Sequence, residues 1–226
     1  MTDTPALDWT PARPPRHATL VGERLRLEPL DPDRHAGDLF AASHGRGCDP
    51  QLWRYLPYGP FASAGELHGW LAERAPSTDP LFLAVVDAAG GRAAGVVSFL
   101  RVEPQHGCIE IGHIWFGAAL QRTPQATEAI FLLARHAFDD LGNRRLEWKC
   151  DAANARSRRA AERFGFTFEG VFRQHMVIKG RNRDTAWFSL LDREWPAARA
   201  AFTAWLAPEN FDANGRQRRS LAQLRS

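Results

Sequence analysis

Apolar and polar positions along this 226-residue chain follow two alternating periods, and each change of period marks an element. Residues 23–30 alternate, with Leu25 and Leu27 on one face, which predicts a strand. Asp31 before Pro32 is an N-cap with proline at the first helical position, opening a helix expected to end near Gly45. An aromatic loop runs from Trp53 to Phe61, and Ser63 with Glu66 then fits a capping box for a second helix to about Ala75. Strands are expected at 81–86 and 93–100 around a hairpin signal at 87–91, and again at 108–116. The polar turn 120–127 leads into a helix whose Ile130, Leu133, Ala134, Ala137, Phe138 and Leu141 keep helical spacing. Alternation returns at 145–150, with Leu146, Trp148 and Cys150 facing one way. A short helix from about Asn154 ends at Gly165, a residue suited to the left-handed C-terminal position. Two strands, 168–178 and 185–190, flank a polar turn at 179–184, and an amphipathic segment spans 195–206. The chain reads as an extended arm at 1–18, one domain at 19–206 and a basic tail at 207–226.

Composition narrows the class. A hydrophobic content of 44% is that of an ordinary globular protein, and no apolar run approaches the roughly 20 residues that span a bilayer. The N-terminus lacks an apolar signal segment, so a cytoplasmic location and no membrane partner are expected. Cys48, Cys108 and Cys150 are odd in number and form no CxxC pair, which reads as free or packed thiols. The net charge of +3 is too small to argue for nucleic acid, and the arginine groups at 156–159, 181–183 and 216–219 read as solvated faces. There is no HExxH, no Gly-x-Ser-x-Gly and no Walker pattern, so metal, serine-hydrolase and P-loop chemistry lack support and no metal is expected. What remains is the turn at 120–127. A polar loop feeding a helix N-terminus presents free N–H groups and the positive end of a dipole, an anion site that fits a pyrophosphate.

Four segments taken in order, 110–115 (EIGHIW), 121–123 with 127–129 (QRT, TEA), 154–157 (NARS) and 163–166 (RFGF), resemble those of the GCN5-related N-acetyltransferase superfamily. The similarity is strongest to its ribosomal-protein N-terminal acetyltransferase branch and covers about residues 19–195. It implies an α+β fold with a mixed, mostly antiparallel, splayed central sheet flanked by helices. It further implies acetyl-coenzyme A as acyl donor and an amine acceptor, either a small molecule or a protein N-terminus, and it allows a homodimer. The donor would lie along backbone groups of Ile114, Trp115 and Phe116, with an N–H near Trp115 polarising the thioester. Its pyrophosphate would sit on Gln121, Arg122, Thr123, Gln125, Ala126 and Thr127, with Asn154 and Arg158 alongside. The family turn usually carries glycine where this chain has Pro124, which has no N–H to offer.

Acetyl transfer to an amine needs a base, a polarised thioester and a proton for the leaving thiolate. Glu110 is the expected base, with His113 as a rival on the opposite face by strand alternation. Many relatives place a tyrosine seven residues after the asparagine; here that position is Ala161, and Ser157 is the expected acid instead. Trp53, Tyr55, Tyr58, Phe61, His113 and Arg181 are the expected acceptor contacts, an arginine suiting a carboxylate by paired hydrogen bonds. The alternative reading is a non-catalytic acyl-coenzyme A-binding module.

Overall fold

The computed structural model describes residues 7–225. Its strands are β1 (Leu20–Val21), β2 (Leu25–Pro29), β3 (Leu81–Asp87), β4 (Ala93–Glu103), β5 (Cys108–Phe116), β6 (Arg145–Asp151), β7 (Thr167–Ile178) and β8 (Arg181–Leu191). They form one sheet in the order β1-β2-β3-β4-β5-β6-β8-β7. Every pairing is antiparallel except the parallel pair β5–β6. Helices α1 (Pro32–His44), α2 (Ala64–Arg74), α3 (Pro124–Arg135), α4 (Ala155–Phe164) and α5 (Trp195–Leu206) flank the sheet. Among the described residues no helix is long and apolar enough to cross a membrane.

Strand β3 shows why the sheet is covered on both sides. Leu81, Leu83 and Val85 enter one core with residues of α3 and α5, while Phe82, Ala84 and Val86 enter a second core with α1 and α2. A strand buried on both faces has no polar alternation to show, and 81–86 has none. Beyond β4 the second face loses its helical cover. There β6 keeps Leu146, Trp148 and Cys150 in the first core and turns Arg145, Glu147, Lys149 and Asp151 to the other side. That polar face carries the candidate chemistry.

The predicted caps are present. Asp31 Oδ1 accepts the N–H groups of Asp33 and Arg34, Ser63 Oγ accepts that of Glu66, and Gly165 closes α4 with φ of 98°. The expected polar turn at 179–184 is shorter than its composition suggested. Lys179 and Gly180 both have positive φ (49° and 72°) and make a two-residue hairpin turn, so Arg181, Asn182 and Arg183 pair with Ile178, Val177 and Met176 as strand. Residues 1–6 of the expected arm lie outside the described residues. The rest of it lies along the domain, where Ala12 N–H donates to Pro104 O and Arg13 N–H to Leu141 O. The C-terminal basic segment also packs down: Leu221 is buried, Trp205 Nε1 donates to Gln217 Oε1, and Arg225 Nη1 donates to Arg163 O.

Helix α3 is fastened to the β1–β2 turn by one side chain. Buried Glu128 accepts N–H bonds from Glu23, Arg24 and Leu25 at 2.9–3.1 Å. Replacing it with alanine leaves three donors without their acceptor. The expected cost is about 2–4 kcal/mol, with a smaller loss for Glu128→Gln, which keeps one oxygen. Urea unfolding with an unchanged slope and a lowered midpoint is the check.

Candidate acyl-transfer site

Strands β5 and β6 pair for four residues, from Cys108 opposite Arg145 to Ile111 opposite Trp148, and then part. Strand β5 meanwhile stays on β4 as far as Phe116 opposite Gly95. One edge of residues 112–116 therefore faces an opening. Within it Trp115 points its carbonyl at β4, 2.6 Å from where a Cβ on Gly95 would sit, and in extended backbone its N–H points the same way. The groups facing the opening are those of Ile114 and Phe116, which moves the expected backbone donor off Trp115 to its neighbours. Phe116 C=O accepts from Gln121 Nε2 at 2.8 Å, so that side chain braces the strand end.

Beyond Phe116 the chain turns into α3. Thr123 is the N-cap, accepting Ala126 N–H at 3.2 Å and donating to Leu120 O at 2.7 Å, and Pro124 takes the first helical position. Arg122 has φ of 62°, and Thr127 Oγ1 accepts from Arg163 Nη1. Among the described residues the N–H groups of Arg122, Thr123 and Gln125 have no intramolecular partner. The turn thus keeps free donors despite Pro124. Across the opening, Asn154 caps α4 through Oδ1 to Ser157 N–H, and Ser157 Oγ accepts from Trp148 Nε1 at 2.9 Å beside Cys150. Arg158 lies over the Phe168 ring.

On the other face stands Glu110, buried to 3% exposure. Its Oε2 contacts Arg101 Nη1 at 2.6 Å and Lys149 Nζ at 3.0 Å. Lys149, itself buried, also bridges to Glu147 at 2.6 Å and sits 3.9 Å from the centre of the Trp187 ring. Glu110 Oε1 has no hydrogen-bond partner and lies beside Gly112. Burial pushes the carboxyl above its ordinary range, against the pull of Lys149 and Arg101.

His113 does not point away from Glu110. Val96 pairs with Trp115 and Ser98 with Gly112, so two residues of β5 oppose Val97 alone, and His113 has φ of 51°. This bulge spends one residue without advancing the alternation, which returns His113 to the face of Glu110. Its ring packs on Phe82 and Tyr58 at centroid distances of 4.9 and 5.6 Å.

The aromatic loop closes over this face. Trp53 is buried against Tyr58, Phe61, His44 and Trp115. The loop is held at several points: Phe61 N–H donates to His44 Nε2 at 3.1 Å, Tyr55 Oη donates to Ala153 O at 3.2 Å, Arg156 pairs with Asp49 just before the loop, and Lys179 Nζ donates to the carbonyls of Trp53, Tyr58 and Gly59 at 2.6–3.0 Å. A cleft of about 360 Å³ beside it is lined by His44, Cys48, Asp49, Trp53 and Pro60. The structure therefore gathers Glu110, His113, Trp53, Tyr58 and Phe61 on one face, and Asn154 and Ser157 on the other. Arg181 stands apart, exposed next to the hairpin turn. Sequence reasoning singled out the 181–184 arginines for a carboxylate and chose Arg181 over Arg183, and it missed Arg101, Lys149, Lys179 and Trp187; for Lys149 the signal was its place on the polar side of an alternating strand.

Burial, with Arg101, Arg183 and Arg74 nearby, lowers His113 from its ordinary 6.5 to about 4. The folded protein then holds this ring neutral at pH values where the unfolded chain protonates it. Its contribution to stability is complete above pH 6.5 and is lost as pH falls toward 4, by up to about 3 kcal/mol. Denaturant unfolding of wild type and His113→Phe across that window should show a steeper fall for wild type by this amount.

The comparisons with known proteins agree with this geometry. A profile of the acetyltransferase (GNAT) domain matches residues 24–167. The crystal structure of a GCN5-related N-acetyltransferase from Brucella melitensis is 51% identical and superposes with a TM-score of 0.93 over 96% of this chain and 98% of that one. A protein of Bacillus subtilis (strain 168), provisionally named ribosomal N-acetyltransferase YdaF, is 30% identical over 105 residues. That match spans 46% of this chain and 57% of the relative. The microcin C7 self-immunity acetyltransferase MccE, solved with acetyl-CoA and AMP, shares the fold at 22% identity and a TM-score of 0.65, over 75% of this chain and 93% of that one. A sheet that parts between its two parallel strands, the matched domain profile and the Brucella structure lead to one assignment: the chain belongs to the GCN5-related N-acetyltransferase (GNAT) family.

Proposed function

We propose that this protein transfers an acetyl group from acetyl-coenzyme A to the primary amine of a small molecule or a protein N-terminus, by direct attack with both substrates bound. The observation that carries the reading is the opening between β5 and β6, with Glu110 on one face and Ser157 on the other. The donor fits this opening. Backbone groups of Ile114 and Phe116 would line its pantetheine arm, the free N–H groups of Arg122, Thr123 and Gln125 would take its pyrophosphate, and Asn154 would flank it. MccE, solved with acetyl-CoA, supports the donor's identity. When bound, the donor supplies an acetyl group on a thioester.

The chain's own residues do the rest. An amine must lose a proton to attack, and this is harder for a lysine, near 10.4, than for an α-amino group, near 7.7–8.0. Glu110 Oε1 receives that proton directly or through one water, and burial gives this carboxylate a higher proton affinity than an exposed one. Arg101 and Lys149 hold Oε2, which leaves Oε1 to face the opening. An N–H of Ile114 or Phe116 polarises the thioester carbonyl. Because Ser157 Oγ accepts from Trp148, its hydroxyl hydrogen points elsewhere, toward Cys150 in the resting site, and can turn from there to the departing sulfur. The aromatic loop walls the acceptor side and keeps water out.

Saturating acetyl-coenzyme A, at about a hundred times its dissociation constant, should add roughly 2.7 kcal/mol of stability. In a thiol-release assay Glu110→Gln should lower kcat/KM by about 10²–10⁴ while keeping the acetyl-coenzyme A stabilisation. No stabilisation of the wild type by the donor would overturn the reading.

A further inference from the structure

Among the described residues of the polar face beside the opening, Arg183 is a half-buried cation with no ion-pair partner. Arg101 is committed to Glu110, Lys149 to Glu110 and Glu147, and Arg145 to Glu147 and Glu169. Arg183 differs. It sits on β8, two residues before Thr185, and its Nε donates to Thr185 Oγ1 at 3.2 Å. Both terminal nitrogens lack a hydrogen-bond partner, and among the described residues no carboxylate lies within ion-pair distance. The side chain is nevertheless half-buried, where an unpaired guanidinium is costly.

Its surroundings keep it there. Thr185 is fully buried and holds the Nε end, and Thr185 Oγ1 is also 2.9 Å from His175 Nδ1. Arg183 shares its face of the sheet with Trp187, and lies close enough to Glu110, Asp151, Cys150 and Arg101 for each to act on its charge. It also acts on the charge of His113, across the face from Glu110. Buried polar groups on this side that also lack a partner include Tyr58 Oη, Trp187 Nε1, Trp53 Nε1 and Trp115 Nε1. A planar guanidinium fork, held at one end and empty at the other, matches a carboxylate by two parallel hydrogen bonds.

Resting on the acyltransferase reading above, we propose that Arg183 is the receptor for a carboxylate carried by the acceptor amine, so that the acceptor is an aminocarboxylate rather than a simple amine. The placement separates this group from the donor. Ser157 bonds Trp148 on the first core's face, whereas alternation along β8 puts Arg183 on the face of Lys149 and Asp151, with Glu110 and His113 near it. Arg181, two residues earlier on the same side of the strand but exposed at the hairpin end, lacks this setting.

The test pairs each acceptor with a twin in which one carboxylate is replaced by an amide. Initial rates of thiol release from acetyl-coenzyme A are measured with glycine against glycinamide, glutamate against glutamine, and an N-terminal aspartyl peptide against its asparaginyl form. Wild type, Arg183→Gln and Arg183→Lys are compared, each first checked for acetyl-coenzyme A stabilisation in thermal unfolding. Wild type should favour at least one carboxylate-bearing member by about tenfold or more in kcat/KM, the scale of one charge-assisted pair. Which pair responds tells a free amino acid from an acidic peptide. Arg183→Gln should erase the preference with the donor shift unchanged, and Arg183→Lys should restore part of it. Equal use of both members by wild type, or a preference that survives Arg183→Gln, overturns the proposal. So does an Arg183-dependent preference for succinyl- over acetyl-coenzyme A without any acceptor preference, which would place the carboxylate on the donor. Absence of any donor stabilisation in wild type removes the acyltransferase reading itself, an outcome separate from the others.

Discussion

The rest of the site depends on one constraint: β5 cannot follow two neighbours at once. It remains bonded to β4 to its end, and its parallel partnership with β6 stops at Ile111 and Trp148. A backbone edge without a partner is a liability at the rim of a sheet. In the middle of one, enclosed by helices on one side and an aromatic loop on the other, it is a row of directed donors and acceptors, which is what the proposed donor site uses. The bulge at His113 contributes to the same result. It restores the ring to the face where the aromatic loop lies and leaves Ile114 and Phe116 aimed at the opening.

Electrostatics then divides the two sides. Glu110 is a buried carboxylate whose two cations both approach the same oxygen, an arrangement that orients the group and leaves the other oxygen open. Removing either cation would leave buried Glu110 with one partner instead of two, whereas removing Glu110 would leave Lys149 with Glu147 alone. Around Ser157 the opposite side offers a hydroxyl, an amide cap and the indole N–H of Trp148.

Most elements were legible because the signals were local. Asp31, Ser63 and Thr123 cap helices through their own side chains, and Gly165 ends one through its left-handed φ, so four neighbouring residues suffice to read each. The second hairpin was harder. Arg181, Asn182 and Arg183 have polar side chains that look like a turn, and only the positive φ of Lys179 shows that the reversal is already complete. The bulge at His113 was illegible for a related reason, since nothing in an alternating strand marks which residue is spent. Glu110, Ser157 and Asn154 could be found through family resemblance. Lys149 and Arg101 could not, and Arg183 could not be told from Arg181, because their surroundings come from strands far apart in sequence that meet only when the sheet forms.

The grip of Lys179 on the aromatic loop has a bearing on how such a site changes over time. The ammonium holds three main-chain carbonyls and no side chain of the loop. Every amino acid offers the same carbonyl. Side chains at positions such as 55 and 58 can therefore be exchanged during divergence without releasing the loop from this anchor, so the face proposed for the acceptor can be re-lined while its wall stays where it is.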